Sequence, residues 1–308
     1  MSPILRAALV SAIAALAACE SKPPVAVAPT PSQPPAGPLT LPEDAPASRH
    51  FGAVRAGTAG GAEVIGSYTR GCLAGSEQLP AGGTHWQVMN PSRNRAWGHP
   101  KLIAFVKSLA ESVADDGHQG LLIGDLAQPR GGPMSSGHTS HQVGLDADVW
   151  LTPMPARKLS ASDLEDYEPP SLVDFNTLRV TGGFGDAQYS MLRRAAEANG
   201  VERIFISPPI KRAMCDRTAS GDRSWLRKLR PWTGHAAHMH VRLACPAGSD
   251  DCKPQDEPPE GDGCGAELQS WFTDRSWMKP KPGPAVPYAP MKLDGLPAEC
   301  RRVLTERG

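Results

Sequence analysis

The sequence lacks charge of either sign in excess: 32 Lys and Arg face 32 Asp and Glu. With no basic block and no aromatic-plus-basic motif, nucleic acid is not an expected partner. Long hydrophobic runs are also missing. The apolar stretch Ala7–Ala18 falls short of the roughly 20 residues that a bilayer-spanning helix needs. No Cys-x-x-Cys pair occurs among the seven cysteines, which argues against a thiolate zinc site. No H-E-x-x-H occurs, which removes the helix-borne metallopeptidase arrangement. Ser276–Lys279 reads S-x-x-K, but the S-D-N and K-T-G partners of an acylatable serine site are absent, so the match is a coincidence. There is no internal repeat. What remains for chemistry is histidine and aspartate.

The first residues carry one basic residue, Arg6, then the short apolar run, which suits a secretory signal over residues 1–18. Leu16-Ala17-Ala18-Cys19 resembles a bacterial lipobox, so Cys19 is expected to be lipidated; an ordinary cleavage site with a free Cys19 is the alternative. Lipidation also resolves the odd cysteine count, leaving Cys72, Cys215, Cys245, Cys252, Cys264 and Cys300, which can pair in 15 ways. Export makes disulfides plausible. Residues 19–48 are crowded with proline and poor in aromatics, the composition of an extended tether. At ~3.1 Å per residue it reaches roughly 90 Å. The expected localisation is periplasmic, held to outer-membrane lipid through Cys19, with the remaining 49–308 forming the functional domain.

Pro100 marks the start of a helix in "PKLIAFVKSLAESVADDG". Leu102, Ile103, Val106, Leu109 and Val113 form one face, and Gly117 is the stop. "GDAQYSMLRRAAEANG" predicts a second helix, capped by Asp186 and ended by Gly200. Short apolar runs, "LLIG", "VGLDADVWL", "RIFIS" and "HMHVRLAC", predict strands. Helices and strands do not alternate regularly, which predicts an α+β fold. A small, mainly antiparallel central sheet is expected to carry the site, flanked by helices and long disulfide-tied loops.

Period-two alternation sorts the two polar strands. In "VGLDADVWL", Val143, Leu145, Ala147 and Val149 share one face, and Asp146, Asp148 and Trp150 the other, with His141 just upstream. In "HMHVRLAC", Met239, Val241 and Leu243 point inward, while His238, His240 and Arg242 share the opposite face. Buried carboxylates need compensation. Zinc takes imidazole nitrogen and carboxylate oxygen readily, and catalytic sites leave one position for water. A His/Asp hydrogen-bond network without metal, or a structural zinc, is the alternative.

"QPRGGPMSSGHTSHQVGLDADVWL", "RPWTGHAAHMHVRLACP" and "GDGCGAELQSWF" closely resemble the penicillin-insensitive murein endopeptidase family. That family belongs to a wider group of zinc peptidases sharing H-x6-D and H-x-H with lysostaphin-type and D-Ala-D-Ala-cleaving enzymes. The resemblance runs from about His50 to Gly308. It implies His141, Asp148 and His240 as ligands of one zinc, with His238 beside the metal-bound water as acid–base and His235 steadying an oxyanion. It further implies peptidoglycan as partner, and the D-alanyl–diaminopimelate cross-link as the bond cleaved. A second cation site would use His138 with a downstream Asp-x-x-His, but "VDFNTLRV" has Asp174 and no histidine, so one zinc is expected. His138 is then left to touch substrate or support His141. Asp146 lies off the family spacing and is read either as an acceptor orienting an imidazole or as a backbone cap. The disulfides implied are Cys72–Cys300, Cys215–Cys264 and Cys245–Cys252.

Substrate carboxylates have several candidate readers: Lys211, Arg212, Arg223, Arg227 and Arg230 in one basic stretch, and Arg130 close to the first motif. Two other functional classes remain open on sequence: a D,D-carboxypeptidase, and a non-catalytic wall-binding lipoprotein that keeps a zinc fold.

Overall fold

The computed structural model describes Pro42, 44–135, 137–278 and 290–306, which form short strands, helices and long connections. The expected signal peptide, Cys19 and most of the tether lie outside these residues. Among the described residues helix α1 (Ala47–Ala53) comes first, then strands β1 (Glu63–Ser67), β2 (Arg70–Ala74), β3 (Glu77–Gln78), β4 (Trp86–Val88) and β5 (Trp97–Gly98). Helix α2 (Pro100–Asp115), β6 (Leu121–Ile123), β7 (Asp146–Trp150), α3 (Ala161–Asp166), β8 (Val173–Asp174) and β9 (Arg179–Val180) follow. Then come α4 (Asp186–Glu197), β10 (Val201–Ile206), α5 (Pro208–Arg217), β11 (Leu229–Pro231), β12 (His238–Leu243), α6 (Ala266–Thr273) and α7 (Glu299–Thr305). Helix α1 begins two residues before the expected tether boundary, and Ala47 N–H donates to Met291 O.

The architecture is α+β. One six-stranded sheet has the order β11-β10-β12-β7-β6-β4. Its three inner pairings are antiparallel, but the outer pairs β10–β11 and β4–β6 are parallel, so the sheet is mixed. Three two-stranded ladders, β1–β2, β3–β5 and β8–β9, sit outside it.

Helix α2 forms because Pro100 pre-sets the first turn and the His99 ring accepts the Lys101 N–H at 3.1 Å. Its five apolar-face residues are all buried, joined by Phe105 and Ala110. Each large side chain so buried contributes about 1.5–3 kcal/mol. Gly117 ends the run with φ 88°. Helix α4 differs slightly from expectation. Asp186 is its first helical residue and Gly185 the cap, whose N–H is accepted by Gln188 Oε1; the helix stops at Glu197, ahead of Gly200.

The apolar rows of β7 and β12 (Ala147, Val149, Met239, Val241, Leu243) share one core with α2 and α4. That burial fixes which face of each strand looks away from the helices. A second core joins α1, the β1–β2 hairpin and α7 through Phe51, Ile65, Val303 and Leu304. Disulfides link Cys72–Cys300, Cys215–Cys264 and Cys245–Cys252, the pairs the resemblance implies. The first ties α7 to β2.

Arg130, expected beside the substrate, is instead bonded to the backbone of α7. It is buried, its Nη1 donates to Val303 O and Leu304 O at 2.7 Å, and its Nε donates to Ala56 O at 3.2 Å. The last carbonyls of α7 lack partners within their own helix, and a guanidinium satisfies them. No helix among the described residues is long and apolar enough to cross a membrane.

Candidate metal centre

Strands β7 and β12 pair so that His240 sits opposite Asp148, Arg242 opposite Asp146 and His238 opposite Trp150. The two polar rows inferred from alternation therefore lie side by side. The β7 main chain is tied in turn to the segment after β6: Gly124 N–H donates to Asp148 O, and Asp148 N–H to Asp125 O.

His141 reaches the cluster from the loop before β7. Its φ of 66° is left-handed, a costly conformation for a residue with a Cβ. Asp146 stabilises it, because Oδ2 accepts the His141 N–H at 2.9 Å. The same fully buried carboxylate receives Arg242 Nε at 2.7 Å and Nη2 at 3.1 Å. Its Oδ1 also lies 3.2 Å from His240 Nε2, in ion-pair range although the N–H is not aimed well enough for a hydrogen bond. Asp146 is thus both backbone cap and imidazole neighbour. Burial would raise its pKa, but Arg242 and His240 outweigh that and hold it far below the usual carboxylate range.

Three imidazole nitrogens surround Asp148 Oδ1: His240 Nδ1 at 3.3 Å, His141 Nε2 at 3.5 Å and His238 Nε2 at 3.8 Å. Oδ1 and both His141 nitrogens are buried with no hydrogen-bond partner among the described residues. Polar atoms left so, at this spacing, need something between them. Donors bound at 2.0–2.1 Å around a tetrahedral ion stand about 3.4 Å apart. His240 Nδ1 and His141 Nε2 stand near that distance from Asp148 Oδ1. On the other side of the carboxylate, His138 Nε2 is 3.6 Å from Oδ2 and 3.0 Å from Asp125 Oδ2. His138, His141 and Asp148 each offer a ligand atom, all within 4.8 Å of one another, and could hold a metal ion. His240 Nδ1 and His238 Nε2 border the same carboxylate.

Burial would raise the Asp148 pKa, yet the His141 and His238 rings outweigh it and keep the group ionised. Burial lowers His141 and His238 despite the nearby carboxylate. His240 goes the other way: burial is outweighed by Asp146 and Asp148, and its pKa is pushed up to about 9. His235, on the turn before β12, is lowered to about 4 by burial and by His238 and His240. Its Nδ1 lies 2.6 Å from Thr233 O. A carbonyl only accepts, so Nδ1 carries the proton and the neutral ring presents a bare Nε2. In that tautomer His235 can accept a proton at Nε2. Its ring centroid is 4.9 Å from that of His238.

Asp125 escaped the sequence reading. Its signal was a carboxylate one glycine past the fully buried "LLI" of β6, a position that needs a cationic partner. Here it has Arg95 Nη1 at 2.8 Å as well as His138. Asp174 does not join the site chemistry expected of a second cation position: its oxygens accept from Asn176 N–H at 2.8 Å and Thr177 Oγ1 at 2.9 Å. The basic stretch is also spoken for. Lys211 is buried and donates to Leu226 O and Asp262 O, Arg212 to Leu178 O, Arg223 to Asp262, Arg227 to Pro258 O and Arg230 to Glu267.

Residues 64–305 match the family model described as penicillin-insensitive murein endopeptidase. The chain belongs to that family. Family proteins so named from Klebsiella pneumoniae (strain 342) and Yersinia enterocolitica are 44% and 43% identical over 80% of this chain, covering 88% and 86% of their own lengths. The same-named protein of Escherichia coli (strain K12) is 42% identical over 80% of this chain and 88% of its own length. The matched span contains every residue of the cluster around Asp148 and all three disulfides.

Proposed function

We propose that this protein is a zinc-dependent peptidoglycan endopeptidase that hydrolyses D-alanyl–meso-diaminopimelate cross-links. The observation that carries the reading is the set of unpartnered buried atoms, Asp148 Oδ1 with the His141 nitrogens, inside a family of murein endopeptidases. His141, Asp148 and His240 are the proposed ligands of a single zinc, with His138 held against Asp125 beside them. Zinc, when bound, supplies Lewis acidity and lowers the pKa of a coordinated water toward ~7.

The side chains do the rest. Asp146 holds the His141 backbone and lies against His240 Nε2, which leaves His240 Nδ1 facing Asp148. Half-buried and neutral, His238 receives the proton of the attacking water and returns it to the leaving amine. His235, with Nε2 bare, takes a second proton-handling position beside it. Without an acylatable serine, activity should be indifferent to β-lactams. The proposed setting is the periplasm, with residues 1–18 as signal, Cys19 as lipid anchor to the outer membrane, and residues 19–48 as tether to the domain 49–308.

Purified protein incubated with cross-linked muropeptide dimers tests the reading. Monomers that appear with zinc, vanish with chelator and persist with penicillin are expected. Release of free D-Ala would mean a D,D-carboxypeptidase, and an inert dimer a non-catalytic wall-binding lipoprotein.

A further inference from the structure

The basic stretch first suspected of reading substrate is committed to the fold, so recognition of an anionic peptide must come from elsewhere. Asp125 Oδ2 draws three groups to one atom: Arg95 Nη1 at 2.8 Å, His138 Nε2 at 3.0 Å and Arg93 Nη1 at 3.5 Å. The first two fill that oxygen's lone pairs. Arg93 is the most distant of the three, ion-paired to that oxygen at 3.5 Å, and its side chain is 50% exposed against 10% for Arg95. Contacts of 3.5, 3.0 and 3.6 Å separate its guanidinium from Asp148 Oδ2.

The turn that presents Arg93 is fixed. Pro91–Arg93 form a 3-10 turn between Asn90 and Asn94, both left-handed at φ 49° and 53°, where asparagine is the tolerated non-glycine residue. Glu165 accepts from Ser92 N–H at 2.8 Å and from Ser92 Oγ at 2.7 Å, and Asn90 Nδ2 donates to Glu165 O. Beyond the turn, Leu126 N–H donates to Arg95 O, and Trp97 bridges Ala127, so this loop is stitched to the segment that carries Asp125. A guanidinium held in place, half solvated, with donors to spare, is arranged to receive a carboxylate.

We propose that Arg93 binds the free carboxylate of the substrate that sits on the same carbon as the leaving amine, and so selects cross-links whose acceptor residue is an unamidated diamino acid. This rests on the endopeptidase reading above. The test uses two muropeptide dimers that differ only in whether that carboxylate is free or amidated. Wild-type protein should show a KM about ten- to a hundredfold higher for the amide. Arg93→Gln should raise KM for the free carboxylate by a similar factor and lose the discrimination, with Arg93→Lys recovering part of it. An unchanged melting temperature shows that the variant is folded. Discrimination that survives in Arg93→Gln, or an unchanged KM for the free acid, would overturn the proposal. Wild-type inactivity on both dimers would instead sink the endopeptidase reading, and Arg93's role with it.

Discussion

Replacing Asp146 by alanine gives the sharpest test of how the site is built. The carboxylate is fully buried and serves Arg242 twice, the His141 N–H once and His240 by proximity. Arg242 is itself 4% exposed. After truncation it keeps Gln255 Oε1 at 2.8 Å and the faces of Tyr68 and Phe205, none of them anionic. Removing one partner of a buried ion pair costs about 3–5 kcal/mol. The stranded His141 N–H adds about 1 kcal/mol or more. A loss of about 4–6 kcal/mol is a large share of the roughly 5–15 kcal/mol that holds a domain together. At about 2–4 °C per kcal/mol for a domain of this size, the melting temperature should fall by about 8–24 °C. Unfolding should be followed with chelator present and disulfides intact, so that metal binding does not contribute. The double variant Asp146→Leu, Arg242→Met removes both charges and should be more stable than Asp146→Ala. If Asp146→Ala costs less than about 1 kcal/mol, or the double variant is the least stable of the set, the reasoning fails.

Asp148→Ala should abolish both metal uptake, read by elemental analysis, and dimer cleavage; retained stoichiometric metal would implicate the other donors alone. Closing a longer loop restricts the unfolded chain more, so removing Cys72–Cys300, Cys215–Cys264 or Cys245–Cys252, with separations of 228, 49 and 7, should cost about 5, 4 and 2 kcal/mol by urea unfolding. A reversed order would contradict the loop-closure account. Lys211 is lowered to about 7 by burial, so between pH 7 and its ordinary value of 10.5 the unfolded chain binds the extra proton. Stability should therefore rise with pH across that window, with the full cost of the buried charge present below it. Lys211→Met should remove that slope, and a wild-type slope in the variant would refute the assignment.

The two polar rows were legible because alternation is a local property: a strand with one apolar face must put Asp146 and Asp148 on the other. Their partnering with His240 and Arg242 followed from the same rule applied to a second strand. The sheet's outer parallel pairs were not legible, because β4 and β11 are three residues each and carry no periodicity. Arg130 misled because closeness along the chain is not closeness in space; α7, far downstream, comes back to claim it. Asp125 and Arg93 went unseen since each is a single charge whose meaning comes only from the loop pairing that sets them beside His138. The tautomer of His235 depended on one carbonyl, Thr233 O, two residues away.

The register of β12 against β7 carries a practical corollary. A slide by one position would drive His238, His240 and Arg242 into the oily interior and turn Met239, Val241 and Leu243 outward. Interior formation therefore proofreads the reaction centre, and a molecule with the wrong alignment fails at both. Thermal damage should then lower the number of working molecules in a sample and leave the preferences of the survivors untouched.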